Sequence, residues 1–286
     1  MNFHSYPATY LGPISLKVED LDRSLTFYKE IIGFQGEKLS EKKAYLSVDG
    51  KTPFLILEQP DDVTAKQPRT TGLYHFAILL PNRKELGKFL LHLLQKQYPI
   101  QGASDHLVSE AIYFADPDGN GIEVYRDRPA EKWSWKGQQV EMATVPMDAE
   151  GVLAEANNEA WMGLPIGTVL GHIHLHVSDL QESEKFYCEA LGFDLVSKYG
   201  HQAYFLSSNR YHHHIGMNTW NGVGAPAPDE NSVGLKWFSI VYPTLAARNN
   251  AVENLKNLGA EVSEQDGVVL TKDPSGTNIQ LWFQNK

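Results

Sequence analysis

Three histidines alternate with apolar residues in Gly171-His172-Ile173-His174-Leu175-His176. Side chains on a strand alternate between its faces, so all three imidazoles share one side and Ile173 and Leu175 share the other. His75 lies in a second apolar run, Leu73 to Leu80, on the face it shares with Leu73 and Ala77. Glu123 stands between Ile122 and Val124, where a carboxylate without a partner would be costly. Two imidazoles and one carboxylate on three rigid strands form the facial ligand set of non-haem Fe(II) oxygenases. Such a set leaves adjacent positions open for a bidentate substrate and dioxygen. His75 and Glu123 enter it directly, with His172 or His174 as the second imidazole. The triplet in Tyr211-His212-His213-His214-Ile215-Gly216 adds imidazoles, a side-chain type suited to moving protons.

A lone strand histidine is more often a hydrogen-bonded core residue than a ligand. An internal repeat lifts this set above that. Leu11 to Gln35 and Leu170 to Asp194 align without gaps, with 13 of 25 positions identical. A weaker repeat pairs Gly72 to Ile78 with Gly234 to Ile240, and Asp116-Pro117-Asp118-Gly119 matches Asp273-Pro274-Ser275-Gly276. Four units therefore begin near residues 10, 71, 169 and 232. The copies differ where chemistry is concerned. Units two and three hold His75, Glu123 and His172, whereas their repeats in units four and one hold Trp237, Gln280 and Pro13.

Each unit runs strand, helix, then shorter strands. In the first, Ile14, Leu16 and Val18 alternate with polar neighbours, as in a half-buried strand. Asp20 stands at an N-cap position, and Leu21, Leu25, Tyr28, Ile31 and Ile32 share a helical face that Gly33 closes. The intervening piece, Arg126 to Thr168, lacks this grammar. Trp133, Trp135, Met142 and Trp161 make it too apolar for a free linker, so it reads as an ordered connector with a short helix near Ala149 to Ala156.

The length of 286 residues suits two domains, and 42% hydrophobic residues suit an ordinary core. A net charge of −10 argues against nucleic acid or an anionic membrane as partner. Cys188 is the sole cysteine, so it forms no disulfide within the chain and reads as a small buried hydrophobe. No run of eighteen apolar residues occurs, and Met1 to Tyr10 has no signal-peptide character. A cytoplasmic chain is expected.

Four βαβββ units resemble the vicinal-oxygen-chelate superfamily over nearly the whole chain. The resemblance implies an α+β fold of two cup-shaped mixed sheets, each built from two modules. The modules span 10–58 and 71–125 in an N-terminal pair (10–125), then 169–220 and 232–283 in a C-terminal pair (169–283), joined by the connector 126–168. Within the superfamily the residues are most similar to the extradiol ring-cleaving dioxygenases, and among these to the catechol 2,3-dioxygenases. There a ligand follows a glycine, which implies His172, and the next module supplies a histidine and a glutamate, here His75 and Glu123. A tyrosine ten residues before the glutamate faces the substrate, matching Tyr113, and an upstream histidine matches His106 with a spacing about two residues different. The acid–base histidine lies in a His-His pair, which implies His213, although strict alternation back from Gly216 would aim His212 and His214 inward instead. On this alignment His212→Ala is expected to be nearly silent.

The order of ligands departs from the common family pattern, so the active cup is expected from modules two and three, within one chain or between two. The resemblance further implies Fe(II), with Mn(II) as the alternative, a catecholic small molecule and O2 as partners, and an enzyme that can be a homo-oligomer. The implied reaction is extradiol cleavage of catechol or a simple substituted catechol to a 2-hydroxymuconic semialdehyde. A lyase or thiol transferase of the glyoxalase and fosfomycin-resistance kind, or a metal-free bleomycin-type binder, are the competing expectations.

Overall fold

The computed structural model describes residues 2–284. Its two large sheets pair the modules from the inside out. The nine-stranded sheet runs Val145–Pro146, Gly102–Asp105, Ser109–Ala115, Gly121–Asp127, Gly72–Leu80, Val169–His176, Ile215–Asn218, Ala203–Ser207, Asp194–Tyr199. It thus joins modules two and three. The eight-stranded sheet joins modules four and one, with Gly234–Tyr242 antiparallel to Tyr10–Lys17 at its centre. In each module the first strand runs parallel to the last, as Gly72–Leu80 does with Gly121–Asp127.

The repeat explains the local structure. Asp20 and Asp179 occupy equivalent positions and cap their helices by accepting backbone N–H groups, from Arg23 in one and from Gln181 and Glu182 in the other. Each helix then widens into a π-turn, Tyr28–Ile32 and Phe186–Ala190. The tyrosine of each turn reaches into a neighbouring module: Tyr28 donates to Asp116 at 2.9 Å and Tyr187 to Asp273 at 2.9 Å. Burial lifts the Asp273 carboxyl to about 6. The sheets pair modules two with three and four with one, while these bonds tie one to two and three to four. Every module is therefore held to two others.

Glu110 supports the strands that carry the site. It is buried, accepts from Arg83 Nε at 2.9 Å and from Arg126 Nε at 2.7 Å, and lies 3.4 Å from Arg128. Arg83 also bonds Asp148 and Glu155 of the connector, so one cluster fixes a helix, two strands and the connector. Glu110→Ala would leave Arg126 buried without its counter-charge. We expect a loss of about 3–5 kcal/mol in urea denaturation. A loss under about 1 kcal/mol would mean that the cluster is ornamental.

The connector is ordered and carries a helix over Ala149–Glu155. Trp133 stacks on Phe3 at 5.3 Å between ring centres, and Trp161 donates to the Ile32 carbonyl at 3.2 Å. Two details differ from the sequence reading. Cys188 is half-buried rather than fully so, its thiol pushed up to about 12 by burial and nearby carboxylates. The histidine triplet precedes its strand, which begins at Ile215. Among the described residues, no helix is long and apolar enough to cross a membrane.

Candidate metal centre

Register decides which histidines can meet. His172 pairs with Ala77, and Ala77 with Glu123, so these three form one row across adjacent strands. His174, His75 and Gly121 form the next row. Ala77 presents only a methyl group between His172 and Glu123, and His75 reaches into that gap from its own row. Gly121 is required by close approach, since a Cβ there would lie 2.0 Å from the Tyr74 carbonyl. In the other sheet Ser239 pairs with Gln280 as Ala77 does with Glu123. That cup has the frame without the ligands.

His75, Glu123 and His172 converge and are buried. Glu123 Oε2 lies 3.0 Å from Nε2 of His75 and 3.0 Å from Nε2 of His172, and the two nitrogens are 3.4 Å apart. With metal–ligand bonds of about 2.1 Å, neighbouring ligands in octahedral or tetrahedral geometry sit about 3.0–3.4 Å apart. Three lone-pair donors at that separation suit a divalent cation. Burial drives the Glu123 carboxyl up, but His172 and His75 outweigh it and hold the group well below its usual range. Burial also lowers the His172 pKa against the pull of Glu123, which favours the neutral imidazole a metal needs.

His174 faces the same side but stands apart from this triad. Its ring packs on Tyr74 and His75, both at 5.1 Å, and on Trp220 at 5.4 Å, and its buried Nε2 has no hydrogen-bond partner among the described residues. It is part of the cavity wall.

Tyr113 and His106 line the cavity together. His106 Nδ1 is 2.7 Å from the Ala143 carbonyl, which can only accept, so Nδ1 carries the proton. Nε2 then accepts from the Tyr113 hydroxyl at 2.6 Å. Burial and the Glu123 charge raise the Tyr113 pKa well above its usual value, keeping it a donor. His213 also lines the cavity, its ring 4.1 Å from that of His172. His214 points elsewhere: its Nε2 donates to the Phe3 carbonyl at 2.9 Å and its Nδ1 accepts from Ser208 N–H. Alternation fails to select among the three because the triplet is not yet strand.

The cavity has a volume of about 350 Å³. Its aromatic wall is Tyr74, Phe205 and Trp220, and the connector closes one side with Met142, Ala143 and Thr144. Sequence reading does not place Met142, Ala143 or Thr144 at the site, because the connector has no repeat partner. It also misses Asp127, discussed below, although Glu123, Tyr125 and Asp127 follow the same i, i+2, i+4 alternation.

The model of the Glyoxalase/Bleomycin resistance protein/Dioxygenase superfamily matches residues 10–124 and 169–281. The chain belongs to that superfamily. It is 46% identical over 276 residues to Catechol-2,3-dioxygenase of Bacillus subtilis (strain 168), covering 95% of this chain and 96% of that one. This similarity makes the superfamily member an enzyme of the dioxygenase kind. Metallothiol transferase FosB of Shouchella clausii is 29% identical over 125 residues, 43% of this chain and 83% of its own. Among solved structures, glyoxalase I from Zea mays shares the fold with a TM-score of 0.59 at 18% identity, over 96% of this chain and 92% of that one.

Proposed function

We propose that this superfamily member is an Fe(II)-dependent extradiol dioxygenase that opens the ring of catechol or a simple substituted catechol. The observation that carries the reading is the buried triad of His75, Glu123 and His172 at the base of a cavity walled by proton-bearing side chains. His75, Glu123 and His172 would hold the iron through two nitrogens and one oxygen. Bound there, Fe(II) would supply Lewis acidity toward the diol and redox capacity toward dioxygen. His213 faces the diol and holds or returns its proton, a task for a neutral imidazole. The Tyr113 hydroxyl, its proton held by His106, offers its oxygen as an acceptor to a diol hydroxyl and so helps to orient the substrate. Tyr74, Phe205 and Trp220 pack the ring and exclude water. Both oxygen atoms end in the product, the 2-hydroxymuconic semialdehyde, with the ring carbons as the only reductant.

Anaerobic purification, loading with Fe(II), and measurement of oxygen uptake with catechol test this reading. One O2 consumed per yellow product formed is expected. A colourless enzyme that works with Zn(II) or Ni(II) and ignores oxygen would overturn it in favour of glyoxalase-type chemistry.

The wall also bears on substrate class. Among the described residues lining the cavity, Lys198 is the sole lysine or arginine. It is exposed, and its Nζ sits 4.1 Å over the Tyr204 ring and 3.5 Å from Glu184. A ring carboxylate would therefore enter without a counter-charge. We expect kcat/KM for catechol or 4-methylcatechol to exceed that for 3,4-dihydroxybenzoate by roughly 100-fold. Equal values would show that the cavity reads no charge.

A further inference from the structure

Behind His213 lies a chain of hydrogen bonds that ends on a carboxylate. His212 Nε2 is 2.7 Å from Asp127 Oδ1, and His212 Nδ1 is 2.8 Å from His213 Nδ1. The Tyr211 hydroxyl donates to the same Asp127 Oδ1 at 3.2 Å, and the Tyr125 hydroxyl, 2.7 Å away, donates to Tyr211. His212 is fully buried, and its ring is packed against Tyr211 at 4.0 Å and Trp133 at 5.1 Å. The ring is therefore fixed in place.

The direction of each bond follows from donor and acceptor chemistry. A carboxylate accepts only, so His212 donates through Nε2–H. A neutral imidazole has one N–H, which leaves His212 Nδ1 as an acceptor. His213 must then donate through Nδ1–H, and its Nε2 is left bare. His213 lines the cavity, and among the described residues its Nε2 has no hydrogen-bond partner. The geometry points to Asp127 and His212 as positioning residues that fix the tautomer of His213, presenting an unprotonated Nε2 to the incoming diol. Asp127 reaches the reacting oxygens only through two imidazoles. It lies on the strand of Glu123, so one strand supplies both a metal ligand and the anchor of the base. The inference rests on His213 acting as acid–base residue in a catechol-cleaving site. It replaces the expectation that His212→Ala is silent.

The test uses the full chain. In Fe(II) enzyme, His212→Phe keeps the ring volume but cannot accept from His213, so kcat should fall about 10- to 100-fold with iron content and KM for catechol nearly unchanged. Asp127→Ala should do the same. Asp127→Asn should recover most of the loss, because both donors go to Oδ1 alone and an amide oxygen can take them. In a His213→Ala background neither Asp127→Ala nor His212→Phe should lower kcat further. Additive losses would mean a merely structural role and overturn the inference. A second readout needs no activity. In the chain labelled with ¹⁵N-histidine and loaded with diamagnetic Zn(II), His212 should carry its proton on Nε2 and His213 on Nδ1, and Asp127→Ala should disturb that pattern. His213 protonated on Nε2 in the unaltered chain overturns the inference. The expected tautomers in a protein that consumes no oxygen with catechol would instead sink the functional reading and leave the positioning chain standing.

Discussion

With the proposed iron ligands, Glu123→Ala should yield a folded protein that no longer retains iron. Glu123 is the only formal negative charge in the triad, and its Oε2 stands 3.0 Å from both ligand nitrogens. Two neutral imidazoles alone leave a divalent cation without charge compensation in a buried site, which is costly. Affinity should fall on the order of a thousandfold or more, beyond the 10–100-fold typical of losing a residue that only orients a ligand. The fold should survive for a reason visible within the molecule. The sheet of modules one and four closes with Pro13, Trp237 and Gln280 where the ligands would be. Such a cup needs no metal to form. Metal analysis after gel filtration, paired with a thermal melt, checks both halves of the expectation. His174→Ala serves as control and should keep its iron, because the His174 ring packs on Tyr74 and Trp220 and is not among the three converging donors. Full iron occupancy in Glu123→Ala would falsify the ligand set.

How far the sequence carries this picture depends on what kind of signal each residue leaves. The module order is legible because 13 of 25 positions repeat between Leu11–Gln35 and Leu170–Asp194, and the asymmetry at Pro13 and His172 marks where chemistry differs. The choice between His172 and His174 is not legible from alternation, since both point inward. It needs the register across strands, in which His172, Ala77 and Glu123 share a row. Local periodicity carries no such long-range information. The histidine triplet is opaque for a different reason. Residues 212–214 lie before the strand, where the period-two rule has no force, and a tertiary bond from His214 to Phe3 sets their facing. The connector is invisible to repeat analysis altogether. Yet Ala143 from it fixes the His106 tautomer, and Met142 and Thr144 close the cavity.

His213→Ala should behave in the opposite way from Glu123→Ala: it should keep its iron and bind catechol, yet turn over about 10²–10⁴-fold more slowly. The ring contributes no ligand atom to the triad, so metal retention has no reason to change. The role proposed for it is to carry the proton. Burial and the neighbouring imidazoles of His172, His212 and His174 hold the His213 pKa well below its usual value. The resting ring is therefore neutral, able to accept the diol proton and hand it back as the ring opens. Without it the substrate must lose and regain that proton through water, in a cavity walled in part by Tyr74, Phe205 and Trp220. Slow turnover and off-path products are both expected. Single-turnover kinetics separate the two steps, because substrate binding should be close to normal and the later decay slow. His214→Ala is the informative contrast. That ring is tied between Ser208 and the Phe3 carbonyl, so its loss should lower the melting temperature and leave kcat near normal. If instead His214→Ala is the crippled enzyme and His213→Ala turns over freely, the proton passes along a different route and the chain from Asp127 through His212 leads to the wrong imidazole.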